Sequence, residues 1–340
     1  QITQPLLRGI GDKEIKSSIE IARTNIDMSK EEFQKTVMDV MLEVISSYWQ
    51  VYFYKESFLL DMESLNMAEE IYRKEKVRLK QGISKQLDVD RSLAAIETRR
   101  NSLYRTQIGV DNSVNRLKYL INSPEISIED PDAGLTPTET PVVDLQEIYA
   151  NEALAIALEN RPEIMIEEQK LKMAKLRMDL ADHNTLPRLD AKADYVLSSL
   201  DTNAGDALKE AYKANNEGWS AWVELEMPLG NKEAISAYQI SRFEYKRVQG
   251  NIRKAKEQII TEVYSTTKEL ANAAKQIQTA ETAFKAREKV LASEEALYQL
   301  AKKTNEDLLR SQEYVKLSKQ EYLRAIVNYN TILAKFSRVK

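Results

Sequence analysis

The chain has 340 residues, 49 of them basic and 53 acidic, and its net charge of −4 is spread without a basic block, which argues against a nucleic-acid surface. Nine glycines and eight prolines are few for this length, so the usual punctuation is missing and long unbroken helices are favoured. Cysteine is absent, which suits an oxidising or exported compartment, and no run reaches the ~18 apolar residues of a transmembrane helix. Barrel strands stay open as a membrane element, because their alternating residues average out in hydropathy.

The first element is a strand-like stub ending in Gln4-Pro5-Leu6. A ladder with one apolar residue in every seven follows, as Val37, Val44, Val51, Phe58, Leu65, Tyr72 and Leu79, and predicts a helix over residues 12–81. At ~1.5 Å per residue such a helix would extend about 105 Å. Gly82 and Ser84 break it, and a return helix should run to residue 122. The seven-residue repeat predicts left-handed supercoiling against a neighbour.

Residues 123–144, punctuated by four prolines and several acids, read as a linker between a first repeat, 1–122, and a second, 145–340. Two shorter helices are expected at 145–160 and 163–183, separated by Arg161-Pro162-Glu163. A β-hairpin is expected within 187–228. In its first strand Leu189, Ala191, Ala193, Tyr195 and Leu197 alternate with Arg188, Asp190, Lys192, Asp194 and Val196. In its second, Trp219, Ala221, Val223, Leu225 and Met227 alternate with Ser220, Trp222, Glu224 and Glu226. One face of each strand is wholly apolar and the other mostly charged, at the length of a membrane-spanning barrel strand. A polar loop, 198–218, joins them. After Met227-Pro228-Leu229 the ladder returns as Val263, Leu270, Ile277, Phe284, Leu291 and Tyr298. It predicts a helix over 232–303, a turn near Thr304-Asn305 and a return helix to residue 336. The chain therefore reads as mainly α with a small β part, built from duplicated long-helix hairpins.

The heptads alone fit an ordinary coiled-coil rod equally well, and the hairpin decides between the readings. A hairpin covering a soluble core is common. Here the apolar face has no evident partner within the chain, and two strands alone are marginal in stability. Copies from other subunits would complete a barrel.

In this order and spacing the residues resemble the TolC family of outer-membrane efflux channels over essentially the whole chain. The resemblance is carried by Gln4-Pro5-Leu6-Leu7, Val44-Ile45-Ser46-Ser47-Tyr48-Trp49, Arg78-Leu79-Lys80-Gln81-Gly82-Ile83-Ser84, Asn160-Arg161-Pro162-Glu163, Leu186-Pro187 and Met227-Pro228-Leu229. It implies a homotrimer whose protomers contribute four strands each to one transmembrane β-barrel and their helices to an α-helical tunnel through the periplasm. It also implies a periplasmic adaptor and an inner-membrane transporter as partners, outer-membrane lipid around the strands, and location in the outer membrane of a Gram-negative-type bacterium. The family's first helices and first strand are missing before Gln1, so upstream residues with an export signal are expected. Leu189, Ala191, Ala193, Tyr195, Leu197, Trp219, Ala221, Val223 and Leu225 would then face lipid.

The resemblance further places a periplasmic gate at the helix-turn tips. Tyr298, Lys303 and Asp307 match its constricting residues and Asp88 matches an acidic partner, so that an Asp88–Lys303 pair would tie one tip to the other. Arg78, Gly82, Ser84, Ala301 and Thr304 would form the docking face for the adaptor and pump. Two residues depart from the family pattern: Ala301 stands where glycine is usual, and Arg310 stands one turn beyond Asp307, where it could neutralise an acidic ring. No nucleotide loop, metal cluster or nucleophilic triad is evident, so neither a cofactor nor catalysis is expected. The single histidine, His183, reads as a hydrogen-bonding residue at a helix end. The expected function is a passive outer-membrane exit duct of a tripartite efflux or secretion system. The alternative is a periplasmic coiled-coil adaptor or tether that conducts nothing.

Overall fold

The computed structural model describes residues 1–123, 126, 135–141, 149–197, 217–300 and 302–339. Most of the expected linker, the 198–216 part of the hairpin loop and Ala301 lie outside these residues. The elements run in the order β1 (Ile2–Pro5), a 3-10 turn at Ile10–Asp12, α1 (Lys13–Lys80), α2 (Gln86–Ile121), α3 (Ala150–Asn160), α4 (Pro162–His183), β2 (Arg188–Leu197), β3 (Glu217–Glu226), α5 (Lys232–Gln299) and α6 (Asn305–Val339). The class is mainly α with a small β part. Among the described residues no helix is long and apolar enough to cross a membrane.

The two long helices hold 68 residues each. No proline interrupts them, and glutamate stands in the first turn of each, where the helix dipole favours a negative charge. Gly82 ends α1 at φ 74°, a conformation that only glycine adopts without strain. There the amide of Ile83 donates to the Arg78 carbonyl at 2.9 Å and that of Gly82 to Leu79 at 3.0 Å, the two bonds of a Schellman ending. The second long helix stops at Gln299 rather than the expected 303, because Thr304 is taken by the start of α6. Its hydroxyl accepts the Asp307 amide at 3.2 Å, and the Asp307 carboxylate accepts the Thr304 amide at 3.2 Å.

The chain divides into two compact units, and residues from both halves of the sequence enter each. The first combines Gln1–Lys35 with Arg161–Gln258. It holds an antiparallel sheet ordered β1-β2-β3. The amide of Leu6 extends the β1 pairing by donating to Leu189 at 2.7 Å. His183, buried at the end of α4, accepts the Gly9 amide on Nε2 at 3.0 Å, and Asn231 donates to the Thr185 carbonyl at 2.9 Å. Lys172 of α4 pairs with Glu20 of α1 at 2.6 Å.

The second unit combines Thr36–Asn160 with Ile259–Lys340. On α5 the heptad ladder and the buried seam coincide: Val263, Leu270 and Ile277 are buried, with Ile259, Thr266 and Ala273 interleaved. On α1 they diverge. The ladder residues Phe58, Leu65, Tyr72 and Leu79 are half-buried, and the fully buried seam is offset by one residue as Ser57, Asp61, Ser64, Ala68, Ile71 and Glu75. Towards the turns, Ala68 and Ile71 of α1 pack with Ile96 of α2, Tyr298 of α5 and Leu308 and Leu309 of α6.

At Gly109, α2 lies directly against the Tyr54 ring, and a Cβ there would overlap it. Replacing glycine by alanine inside a helix ordinarily stabilises by about 1 kcal/mol, whereas overpacking costs about 1–3 kcal/mol. The overlap should win, so Gly109→Ala should lower the thermal midpoint. In a Tyr54→Leu background the same substitution should be neutral or stabilising, and an unchanged penalty there would mean that the ring is not its cause.

Candidate functional site

Two regions hold the residues singled out from the sequence, and each lies within one unit. The first is the sheet. Register places Leu189 opposite Leu225, Ala191 opposite Val223, Ala193 opposite Ala221 and Tyr195 opposite Trp219. The period of two therefore gathers these eight apolar residues on one face, while Val196 and Trp222 fall on the other. That face is bare: Trp219 is 80% exposed, Leu225 66%, Val223 64% and Tyr195 58%. Ile2 of β1 continues it, opposite Ala193. The side chain of Leu197 lies outside the described residues.

The other face holds the charges, and they are paired. Arg188 reaches Asp190 at 2.8 Å and Glu226 at 3.6 Å, and Lys192 binds Glu224. Asp190 is only 3% exposed. The protein thus pairs its charges with one another and leaves its large apolar side chains uncovered, which water disfavours for the apolar face.

The second region is the pair of helix turns. Asp88 serves α2 as a cap: its carboxylate accepts the Lys85 amide at 3.3 Å, with the Ser84 hydroxyl at 3.5 Å. Lys303 turns back to Glu294 on α5 at 3.6 Å. The expected Asp88–Lys303 pair is therefore not made within the chain, because each partner is committed to its own turn. The two turns do meet, through other residues. Asn305 donates to the Asp88 carbonyl at 3.0 Å and to the Ser92 hydroxyl at 2.6 Å, and Arg91 pairs with Glu306 at 3.1 Å.

Asp307 caps α6 and pairs with Arg310 at 2.9 Å, so the neutralising contact foreseen from the sequence is present. Hydrogen bonds from the Thr304 side chain and then its amide hold the Asp307 carboxyl below the usual carboxylate range. Tyr298 is buried, and its hydroxyl donates to Glu75 on α1. Sequence reasoning missed Glu75, which is 2% exposed. The same carboxylate accepts Arg78 at 3.4 Å and the Ser84 hydroxyl, and the Arg78 guanidinium lies 5.2 Å from the Tyr298 ring centre. The available signal was positional: Glu75 follows Asp61 and Ala68 at seven-residue steps along the α1 seam.

Long paired helices joined to a short sheet with a bare apolar face are the parts of an outer-membrane channel. The sequence pattern of the family described as "Outer membrane efflux protein" matches residues 2–123 and 153–338, and the chain belongs to that family. Among its relatives is the "Toxin and drug export protein A" of Aggregatibacter actinomycetemcomitans, 21% identical over 160 residues. That match takes in 47% of this chain and 34% of the relative, so the chain aligns with about a third of that protein's length. A membrane protein from Pseudomonas aeruginosa superposes with a TM-score of 0.82 at 16% identity, over 99% of this chain and 76% of the other. The CmeC outer membrane channel of Campylobacter jejuni gives 0.82 at 13% identity, over 99% and 69%. Both have the same fold.

Burial, and then the Glu75 hydrogen bond and charge, push the Tyr298 hydroxyl from 10.0 up to about 12. The native state thus holds this proton more tightly than the unfolded chain. The stability it contributes is complete below pH 10 and is lost as the pH rises towards about 12. Denaturant unfolding should show the gap between wild type and Tyr298→Phe narrowing across that window. A constant gap would mean that Tyr298 ionises like an ordinary tyrosine.

Proposed function

We propose that the chain is one protomer of a homotrimeric, passive exit duct in the outer membrane, serving a tripartite efflux or secretion system. Each protomer gives strands to a shared β-barrel, with Leu189, Ala191, Ala193, Tyr195, Leu197, Trp219, Ala221, Val223 and Leu225 towards lipid. The helices form a periplasmic tunnel. A periplasmic adaptor and an inner-membrane transporter engage it, and energy comes from the transporter. The observation that carries this reading is the sheet, with its bare apolar face and paired charges. A coiled-coil tether has no use for such a face.

The gate lies at the turns, where Asp88, Tyr298, Lys303 and Asp307 set the closed state. Arg78, Gly82, Ser84, Ala301 and Thr304 offer the docking face. The capping roles of Asp88 and Asp307 support this reading, because they fix the shape of both turns.

Mass measurement of the full-length protein in mild detergent should give three chains per particle, and planar bilayers should show conductance. A detergent-free monomer that never conducts would favour the tether. A lysine on the lipid face costs about 2–4 kcal/mol at mid-membrane, so Val223→Lys should abolish bilayer insertion, while Ser220→Lys on the opposite face should not.

Charge selectivity tests the turn. Because Arg310 pairs with Asp307, Arg310→Ala should uncover the carboxylate and increase cation selectivity, whereas Asp307→Asn should leave the guanidinium alone and decrease it. An Arg310→Ala variant with unchanged selectivity would mean that Arg310 does not offset Asp307 at the constriction.

A further inference from the structure

A cavity of about 280 Å³ lies within the second unit, where α1, α5 and α6 meet, and the channel reading does not use it. Its α1 and α6 walls are held from behind by buried charges. Arg99 of α2, 4% exposed, donates to the carbonyls of Ser64 at 2.8 Å and Leu309 at 3.1 Å, and to Gln312 Oε1 at 3.2 Å. Lys316 lies 3.3 Å from Asp61 and 2.8 Å from Glu313. Asp61 is 1% exposed and also accepts the hydroxyls of Ser102, at 3.1 Å, and Thr106. Separating these helices would strand Asp61, Arg99 and Lys316 without partners, the costliest outcome for a buried charge. The cavity is therefore preformed, as ligand sites usually are.

Its lining is apolar with an acidic rim. Leu60 and Met67 of α1, Phe284 and Leu291 of α5 and Val315 of α6 supply the apolar walls. Glu63 of α1 and Glu288 and Glu295 of α5, all exposed, add three carboxylates. Lys316 is offset by Asp61 and Glu313, which leaves Lys319 alone against those three. Its ammonium lies 6.0 Å from the Phe284 ring centre, so the aromatic wall already receives a cation. Ser64 is a separate observation. It is 1% exposed and lines the same cavity, and among the described residues its hydroxyl has no hydrogen-bond partner. Buried hydroxyls ordinarily find one, and a ligand N–H would supply it. A neighbouring cavity of about 520 Å³ shares Met67, Glu295 and Gln312, which leaves room for a ligand to run on past Glu295.

We propose that this cavity is a binding site for a small amphipathic organic cation, a primary or secondary ammonium carried on an aromatic or branched apolar body. The ammonium donates to the Ser64 hydroxyl within the field of Glu63, Glu288 and Glu295, and the apolar body packs on Met67, Phe284 and Leu291. The site belongs to one folded chain, so it stands or falls separately from the channel reading.

The probe is naphthylmethylamine, read by its fluorescence anisotropy with the full-length protein in zwitterionic lipid nanodiscs and empty discs as the blank. It should bind saturably, one molecule per chain. Naphthylmethanol and naphthylacetate keep the ring without the positive charge, and should bind about tenfold more weakly or worse. Ser64→Ala should weaken amine binding about fivefold, the factor for one ordinary hydrogen bond. Glu295→Gln should weaken the amine by a similar factor, about fivefold, and leave naphthylmethanol unaffected, a difference that a folding defect would not produce. Ala292→Trp, which adds an indole at an exposed position on the cavity wall, should abolish binding. Equal affinity for the amine and the alcohol would overturn the inference, as would an amine affinity unchanged in Glu295→Gln or in a folded Ala292→Trp. So would the absence of saturable binding by the wild type. Circular dichroism identifies a misfolded variant, and if Ala292→Trp is one, the exposed, volume-preserving Glu295→Gln decides alone. Conductance of the same preparation in planar bilayers is a separate readout: a protein that binds the amine and never conducts loses the channel reading and keeps the site.

Discussion

A β-sheet with open edges cannot rest in hydrocarbon, and the architecture of this protein follows from that constraint. Among the described residues β1 and β3 each pair with β2 alone, so each presents a row of amides and carbonyls without a strand beside it. Water satisfies such groups, whereas in lipid every unpaired one costs several kcal/mol. Meanwhile the apolar face, led by Trp219, Val223 and Leu225, gains nothing from water. Only further strands at both edges satisfy the two demands together, and closure is the arrangement that leaves no edge. In the proposed channel those strands come from other copies of the chain. The charges on its second face suit a wet lumen, where Arg188, Lys192 and their partners keep hydration on one side.

Much of this was legible in the sequence because the strands obey a period of two without exception over the apolar face. Leu189, Ala191, Ala193 and Tyr195 share a face in any register that keeps the pleat, and the pairing with Leu225, Val223, Ala221 and Trp219 adds order along the strand. The long helices were equally plain, since nothing but Gly82 and the Thr304 cap interrupts them. The buried seam of α1 beyond Val51 was not legible. An apolar ladder at Phe58, Leu65 and Tyr72 points to the wrong row by one residue, because the row that is buried carries Ser57, Asp61, Ser64 and Glu75. Small and polar residues leave no mark in a hydropathy pattern, and their burial depends on partners such as Arg99, Lys316 and Tyr298 that lie far away in sequence.

The contacts at the turns were hidden for a related reason. Spacing indicates that Asp88 and Lys303 sit near neighbouring turns, but it does not indicate which backbone amide or carboxylate each will choose. A carboxylate three residues inside a helix start competes for its own cap, and Asp88 and Asp307 both take that local bond. The local bond requires little chain ordering, whereas a bond between turns must hold two flexible side chains in one geometry and is worth little when exposed. The buried link between the turns therefore falls to Asn305, which is short and already fixed by the start of α6, with the exposed Arg91–Glu306 pair beside it.

Buried ions in a helical seam seldom add net stability over well-packed hydrophobic residues, so Asp61, Arg99 and Lys316 call for another account. Register supplies one. Helices with few large apolar residues at the seam could slide by one heptad at small loss, because each row resembles the next. Seven residues to either side of Lys316 stand Leu309 and Leu323. A slip of one heptad would set a leucine against Asp61 and leave a buried carboxylate without its ammonium, a loss of about 3–5 kcal/mol. Against a total stability of roughly 5–15 kcal/mol for an ordinary domain, that penalty is enough to forbid the slipped state. A tunnel assembled from several copies needs its turns at one level, since a copy displaced by seven residues would sit about 10 Å out of line. In the proposed tunnel the same charges would fix the axial position of α6, and with it the level at which the turns of neighbouring copies meet.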